Sequence, residues 1–147
     1  PPLSIKGTEG TVVAFAKCCR PIPGDHVLGF LTAGRGVVVH TQTCKNLSEY
    51  RKKPERWLDV EWEDGVEGDF PVDIRIEVAN QRGVLATLAA NVAETGANID
   101  NVSLEERDGV HAAISLTISV SGRLHLARII RRLRTVQEVL KITRVRG

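Results

Sequence analysis

The sequence predicts an α+β chain in which a β-α-β-β-α-β unit fills the C-terminal half and a small β-rich unit precedes it. Three observations carry this. Val72, Ile74, Ile76 and Val78 alternate with Asp73, Arg75 and Glu77, the period of a half-covered strand. Leu85, Leu88, Ala89 and Val92, and later Leu126, Ile129, Ile130 and Leu133, recur at helical spacing. Residues 61–69, Glu-Trp-Glu-Asp-Gly-Val-Glu-Gly-Asp, form a short acidic, glycine-containing break that separates the two patterns.

In the first unit, residues 11–16 read as a short buried strand. The run Cys18-Cys19-Arg20-Pro21-Ile22-Pro23-Gly24-Asp25 follows as a turn whose prolines rule out a continuing strand or helix. Residues 27–32 predict a second strand, Gly34-Arg35-Gly36 a turn, and residues 37–40 a third strand. Residues 44–53 predict one short helix with Leu47 and Tyr50 inward, stopped by Pro54. Trp57, Leu58, Val60 and Trp62 complete the unit as a single final strand. So small an apolar core calls for further support, such as a metal or a neighbouring surface.

In the second unit, Asn80-Gln81-Arg82-Gly83 turns the first strand into the first helix, and Gly96 stands just beyond that helix, where a positive φ is commonly required. Residues 99–104 form the second strand, Glu106-Arg107-Asp108-Gly109 a hairpin turn, and Val110, Ala112, Ile114, Leu116, Ile118 and Val120 one face of the third. Residues 139–145 close the unit as its fourth strand. Each helix crosses back over the same sheet face.

Composition narrows the class of function. Apolar residues make up 42% and charged residues 26%, with no long apolar stretch, so neither a disordered tail nor a membrane protein is indicated. Three cysteines, two of them adjacent, do not make a secreted disulfide framework, and a reducing, cytoplasmic setting is expected. Pro1-Pro2-Leu3-Ser4 lacks an initiator Met and resembles no targeting segment, so residues 1–6 read as the remnant of a linker, ahead of units at 7–66 and 69–147. The net charge of +2 is modest, but from Arg128 to the end seven basic residues stand against Glu138 alone.

Cys18, Cys19, His40 and Cys44 offer three thiolates and an imidazole, the ligand set of a structural zinc site. Adjacent side chains ordinarily point apart, so Cys18 and Cys19 can converge only if the turn before Pro21 bends the backbone. Spacing leaves two readings open, a zinc site or thiols with no ligand role. A closed four-ligand site offers zinc no open position for water, which argues against catalysis. His26, His111 and His125 read as ordinary strand, turn or helix residues.

The run Phe15-Ala16-Lys17-Cys18-Cys19-Arg20-Pro21-Ile22-Pro23-Gly24-Asp25, followed by Gly34-Arg35-Gly36-Val37-Val38-Val39-His40 and Cys44, resembles the C-terminal regulatory region of the long RelA/SpoT family, which synthesises and hydrolyses (p)ppGpp in the bacterial stringent response. The resemblance implies a conserved-cysteine or zinc-finger domain followed by a ferredoxin-like ACT domain. It also implies zinc at Cys18, Cys19, His40 and Cys44, and no catalytic residue in this chain. The partners it implies are the upstream synthetase and hydrolase domains.

ACT domains resemble amino-acid-responsive modules. The resemblance therefore places a ligand pocket at Asn80, Gln81, Arg82, Gly83, Val84 and Leu85, facing Ala97, Asn98 and Ile99, and suits a branched-chain amino acid. The plainer alternative keeps Gly83 as a turn former and Leu85 and Ile99 as core. Arg128, Arg131, Arg132 and Arg134, with Lys141 and Arg144, are candidate contacts to RNA phosphates, which the resemblance implies are those of ribosomal RNA, against the alternative of a solvated charged face. A homodimer through the exposed sheet is the third role expected.

Overall fold

The computed structural model describes residues 5–8, 10–34, 36–50, 52–79 and 82–147. The chain divides into two units, the first comprising Pro1–Gly68 with Arg146–Gly147 and the second Asp69–Val145.

The first unit holds strands β1 (Ile5–Lys6), β2 (Val13–Phe15), β3 (Val27–Thr32) and β4 (Gly36–Thr41), the single helical turn α1 (Leu47–Tyr50), a 3-10 turn at Pro54–Arg56, and strands β5 (Trp57–Leu58) and β6 (Glu61–Trp62). Strands β2, β4, β3 and β5 form one sheet in that order, with β2 parallel to β4 and the other pairs antiparallel. Strand β1 pairs only with β6.

Alternation along β4 supplies two small cores from one strand. Val37 and Val39 point to one face, where they join Ile5, Val27 and Val60. Val38 and His40 point to the other, where Ala16, Cys19, Cys44 and Leu47 gather.

Three expectations need correction in this unit. Ile5 and Lys6, placed in a linker remnant by the reading of residues 1–6, form β1, and Ile5 is buried in the core. The predicted strand at 11–16 shortens to β2 and is not buried, because it lies at the sheet edge with Ala14 exposed. The single strand expected across Trp57 and Trp62 is two short ones serving different partners: β5 pairs with β3 and β6 with β1. Trp62 stacks on Phe15 with ring centroids 5.6 Å apart and donates to the carbonyl of Asp25.

The second unit runs β7 (Phe70–Ala79), α2 (Val84–Glu94), β8 (Asn98–Glu106), β9 (His111–Val120), α3 (Arg123–Leu133) and β10 (Val139–Arg144). Its antiparallel sheet, in the order β10-β7-β9-β8, realises the expected βαββαβ, ferredoxin-like arrangement. Val72, Ile74, Ile76 and Val78 are fully buried, as are Ile114, Ile118 and Val120 opposite the helices.

The phase of α2 differs from the predicted stripe. Its buried positions are Val84, Leu88 and Val92, whereas Leu85 is 37% exposed. His125 is buried, and it ties α3 to the end of α2 by accepting from the Ser121 amide at Nδ1 and donating from Nε2 to the Thr95 carbonyl over 2.8 Å.

Candidate metal centre and ligand-facing surfaces

The four side chains singled out from the sequence meet at one point. The ligand atoms of Cys18, Cys19, His40 and Cys44 all lie within 4.8 Å of one another. Cys18 Sγ is 3.6 Å from His40 Nδ1 and 3.6 Å from Cys44 Sγ, and Cys19 Sγ is 3.8 Å from the same nitrogen. A tetrahedral zinc with ordinary bond lengths would hold two sulfurs roughly 3.8 Å apart and sulfur and nitrogen roughly 3.6 Å apart. The three thiols are free. The spacing and the chemistry of the donors therefore fit a metal ion with three sulfurs and one nitrogen.

Convergence of two adjacent cysteines has a local cause. Residues 17–19 form a helical turn closed by the Arg20 amide on the Ala16 carbonyl at 3.0 Å. Successive side chains in such a turn diverge by about 100° instead of the strand's 180°. Arg20 then takes φ 44°, left-handed for a non-glycine residue, and Pro21 follows, disfavouring the right-handed helical region for the residue before it. The bend expected from Pro21 is therefore present, and Arg20 carries it.

The fourth ligand comes from a second turn, where the Cys44 amide donates to the Thr41 carbonyl and the Leu47 amide to the Cys44 carbonyl. Sequence reasoning missed the supporting roles of Arg20 and Thr41, and read Tyr50 as inward without its contact to His40. The Thr41 amide donates to Cys19 Sγ over 3.3 Å, and the Tyr50 ring lies 5.1 Å from that of His40. Arg20 left a trace in the sequence through its place before Pro21, and Tyr50 through its helical spacing from Leu47.

Burial sets the protonation of the cluster. It pushes the Cys19 thiol up to about 12, against the opposing pull of the Thr41 amide, and raises Cys44 as well. Burial also lowers the pKa of His40, keeping its imidazole neutral. Protonated thiols are slow to attack unactivated substrates, so Cys19 and Cys44 are not primed to initiate covalent chemistry, whereas a neutral imidazole is what a metal requires.

The residues expected at a small-molecule pocket are placed only in part. Asn80 and Gln81 lie outside the described residues. Gly83 sits at the start of α2 with φ 73°, in the left-handed region that favours glycine, and a Cβ there would meet no protein atom within 4 Å. Arg82 and Asn98 are exposed, Ala97 and Ile99 half-buried, and Val84 buried. Leu85, being exposed, is not a core residue.

The basic candidates do not form one surface. Arg128 and Arg131 are exposed along α3, and Arg134 is exposed just beyond its end. Arg132 donates to Asn91 Oδ1 over 2.9 Å and pairs with the carboxylate of Glu94, so it joins α3 to α2. Lys141 is paired in register with Glu77, on the sheet face away from the helices, whereas Arg144 is opposite Ile74 on the helix side. The sequence reading grouped these residues by proximity along the chain; strand alternation separates them.

Comparison with known proteins agrees with this architecture. Residues 3–63 match the family described as the RelA/SpoT RIS domain, and residues 67–144 match the ACT domain family. The chain is 40% identical over 145 residues to the bifunctional (p)ppGpp synthase/hydrolase SpoT of Escherichia coli strain K12, covering 99% of this chain and 21% of that protein. It is 33% identical over 146 residues to a GTP pyrophosphokinase of Streptomyces coelicolor, covering 99% of this chain and 17% of the relative. Among solved structures, the ACT domain from GTP pyrophosphokinase of Chlorobium tepidum is 27% identical, covering 52% of this chain and 99% of that one, with a TM-score of 0.46. The chain thus spans about a fifth of the length of the curated relatives it matches. With a RIS domain and an ACT domain in succession over nearly its whole length, the chain belongs to the RelA/SpoT family.

Proposed function

We propose that this chain is a regulatory module of a longer (p)ppGpp synthetase/hydrolase of the stringent response. It supplies no catalytic step, senses a small molecule in its ACT domain, and biases the upstream domains between synthesis and hydrolysis. The observation that carries this reading is the succession of RIS and ACT domains matching about a fifth of a synthase/hydrolase along almost the entire chain. Control of this kind requires coupling between distinct sites, which a modular arrangement supplies. The setting is the bacterial cytoplasm.

Zinc held by Cys18, Cys19, His40 and Cys44 gives the RIS domain the support that its small cores lack. The ion is structural, since four protein ligands close the tetrahedron. The ACT ligand is a branched-chain amino acid, with the start of α2 receiving the carboxylate and Leu85 and Ile99 bounding the side chain. Calorimetry of the folded chain with valine, leucine and isoleucine tests this. Saturable heat with at least one is expected, and none with any of the three removes direct sensing.

A second reading, docking on ribosomal RNA, is favoured by the exposed row Arg128, Arg131 and Arg134. Homodimerisation draws support from Val102 and Leu104, which are 42% and 52% exposed on the edge strand β8. Sedimentation at rising concentration would reveal the dimer; a monomer throughout would remove that role.

A further inference from the structure

We propose that Cys18 and Cys44 are a redox-modifiable pair, closing into a reversible disulfide when the chain meets a two-electron oxidant of the peroxide class. The pairing follows from placement. Of the three cysteines Cys18 alone is half-exposed, so it is the one an oxidant in solution reaches, and Cys44 Sγ waits 3.6 Å away. Nothing covalent links them in the reduced chain.

Cys19 is the competing partner, and it is disfavoured on two grounds. It is fully buried, and its sulfur already accepts the Thr41 amide. Adjacency is the second obstacle, because neighbouring Cα atoms sit about 3.8 Å apart and a relaxed disulfide wants about 4.4–6.8 Å. Cys18 and Cys44 belong to different turns, at 17–19 and 41–46, so no such restraint holds them apart.

The chemistry balances with the peroxide as sole oxidant. Cys18 sulfur attacks one peroxide oxygen while its proton leaves to solvent. The O–O bond breaks, the departing oxygen takes up a proton as water or alcohol, and Cys18 becomes a sulfenic acid. Cys44 sulfur then attacks Cys18 sulfur, the S–S bond forms, the S–O bond breaks, and the oxygen leaves as water with the proton from Cys44. Two thiols have lost two electrons and two protons, and a thiol reductant restores them.

The disulfide would staple the turn before Pro21 to the loop after β4 and remove two donors from the cluster. Metal capture and disulfide formation are therefore mutually exclusive. The inference does not depend on which metal the cluster holds, or on its holding one.

The test treats the chelator-stripped chain with hydrogen peroxide, blocks remaining thiols with N-ethylmaleimide, and maps linked peptides by tandem mass spectrometry. The expected product is lighter by two hydrogens, keeps one alkylatable thiol at Cys19, shows a Cys18–Cys44 linkage, and reverts with dithiothreitol. Cys19→Ser is expected to keep the linkage and Cys18→Ser to abolish it. A Cys19–Cys44 linkage, or Cys18 oxidised to sulfinic acid with Cys44 still alkylatable, would overturn the proposal. The map of the unsubstituted chain decides the pairing even if a variant fails to fold. Zinc content of the untreated protein is a separate readout, so failure of the metal reading and failure of the disulfide can be told apart.

Discussion

The amide of Thr41 donates to the sulfur of Cys19 across 3.3 Å, joining the end of β4 to a turn 22 residues earlier in the chain. His40, the preceding residue, aims Nδ1 at the same cluster. Two consecutive positions of one strand thus serve as ligand and as support. Such outer contacts orient ligands and tune their basicity.

Zinc uptake should be steeply pH-dependent. Cys19 is held at about 12 and Cys44 is also raised, so both are protonated near neutrality and the metal must displace both protons. His40 is lowered, so it adds no proton to the count once pH exceeds its ordinary value of about 6.5. Apparent affinity should therefore rise by at least about two decades per pH unit from pH 6.5 to 7.5, one for each of these two thiols. Competition against a chromophoric chelator at those two values measures it, and equal affinity would mean that the thiols do not ligate.

Gly36→Ala should destabilise the first unit far more than Gly34→Ala. Both glycines have positive φ, 75° and 77°. A Cβ on Gly36 would stand 2.2 Å from the Val12 carbonyl oxygen, whereas one on Gly34 meets nothing within 4 Å. The Val12 oxygen accepts the Val37 amide, so relief of the clash disturbs the pairing of β2 with β4. We expect a loss of about 1–2 kcal/mol for Gly34→Ala and of more than about 3 kcal/mol for Gly36→Ala. Tryptophan fluorescence during urea unfolding reads this unit alone, because Trp57 and Trp62 are the only tryptophans in the sequence.

The second unit was legible because its signals are local and repeated. Val72 through Val78 alternate without interruption, and every inward member is fully buried. The phase of α2 was not legible, because Leu85 and Val84 both continue a stripe through Leu88 and Val92, and the helical period alone does not choose between them. In the first unit, apart from the six-residue hairpin pairing of β3 with β4, the pairings are two or three residues long and connect distant segments, which leaves no period to read. Cluster membership was visible from residue type. How adjacent cysteines converge was not, since it depends on one non-glycine residue, Arg20, adopting a left-handed conformation.

The arginines of α3 should separate into two kinds. Arg128, Arg131 and Arg134 are exposed, so replacing all three with alanine should leave the melting temperature nearly unchanged, weaken binding to ribosomal RNA, and reduce the salt slope by up to about three. Arg132 is tied to Asn91 and Glu94. Arg132→Ala should therefore cost up to about 1 kcal/mol of ACT-domain stability, as expected of an exposed pair, with the smaller effect on RNA. Filter binding across a salt series, with thermal melts of the same samples, checks both. If Arg132→Ala weakens RNA binding as much as the triple variant does, the assignment of the surface fails.

Leu88 and Leu85, three residues apart on α2, should respond unequally to truncation. Leu88 is fully buried beneath the helix, so Leu88→Ala leaves a cavity and should cost about 2–5 kcal/mol. Leu85 is 37% exposed and already partly in water, so Leu85→Ala should cost less than about 1 kcal/mol. Its position at the start of α2 makes it the better test of ligand recognition, because a loss of affinity there cannot be ascribed to unfolding. Circular dichroism melts establish the stability difference, and calorimetry of both variants and the parent chain with valine, leucine and isoleucine measures recognition. Weaker binding by Leu85→Ala at nearly unchanged stability is expected. Unchanged affinity would place the apolar wall of the pocket elsewhere than Leu85.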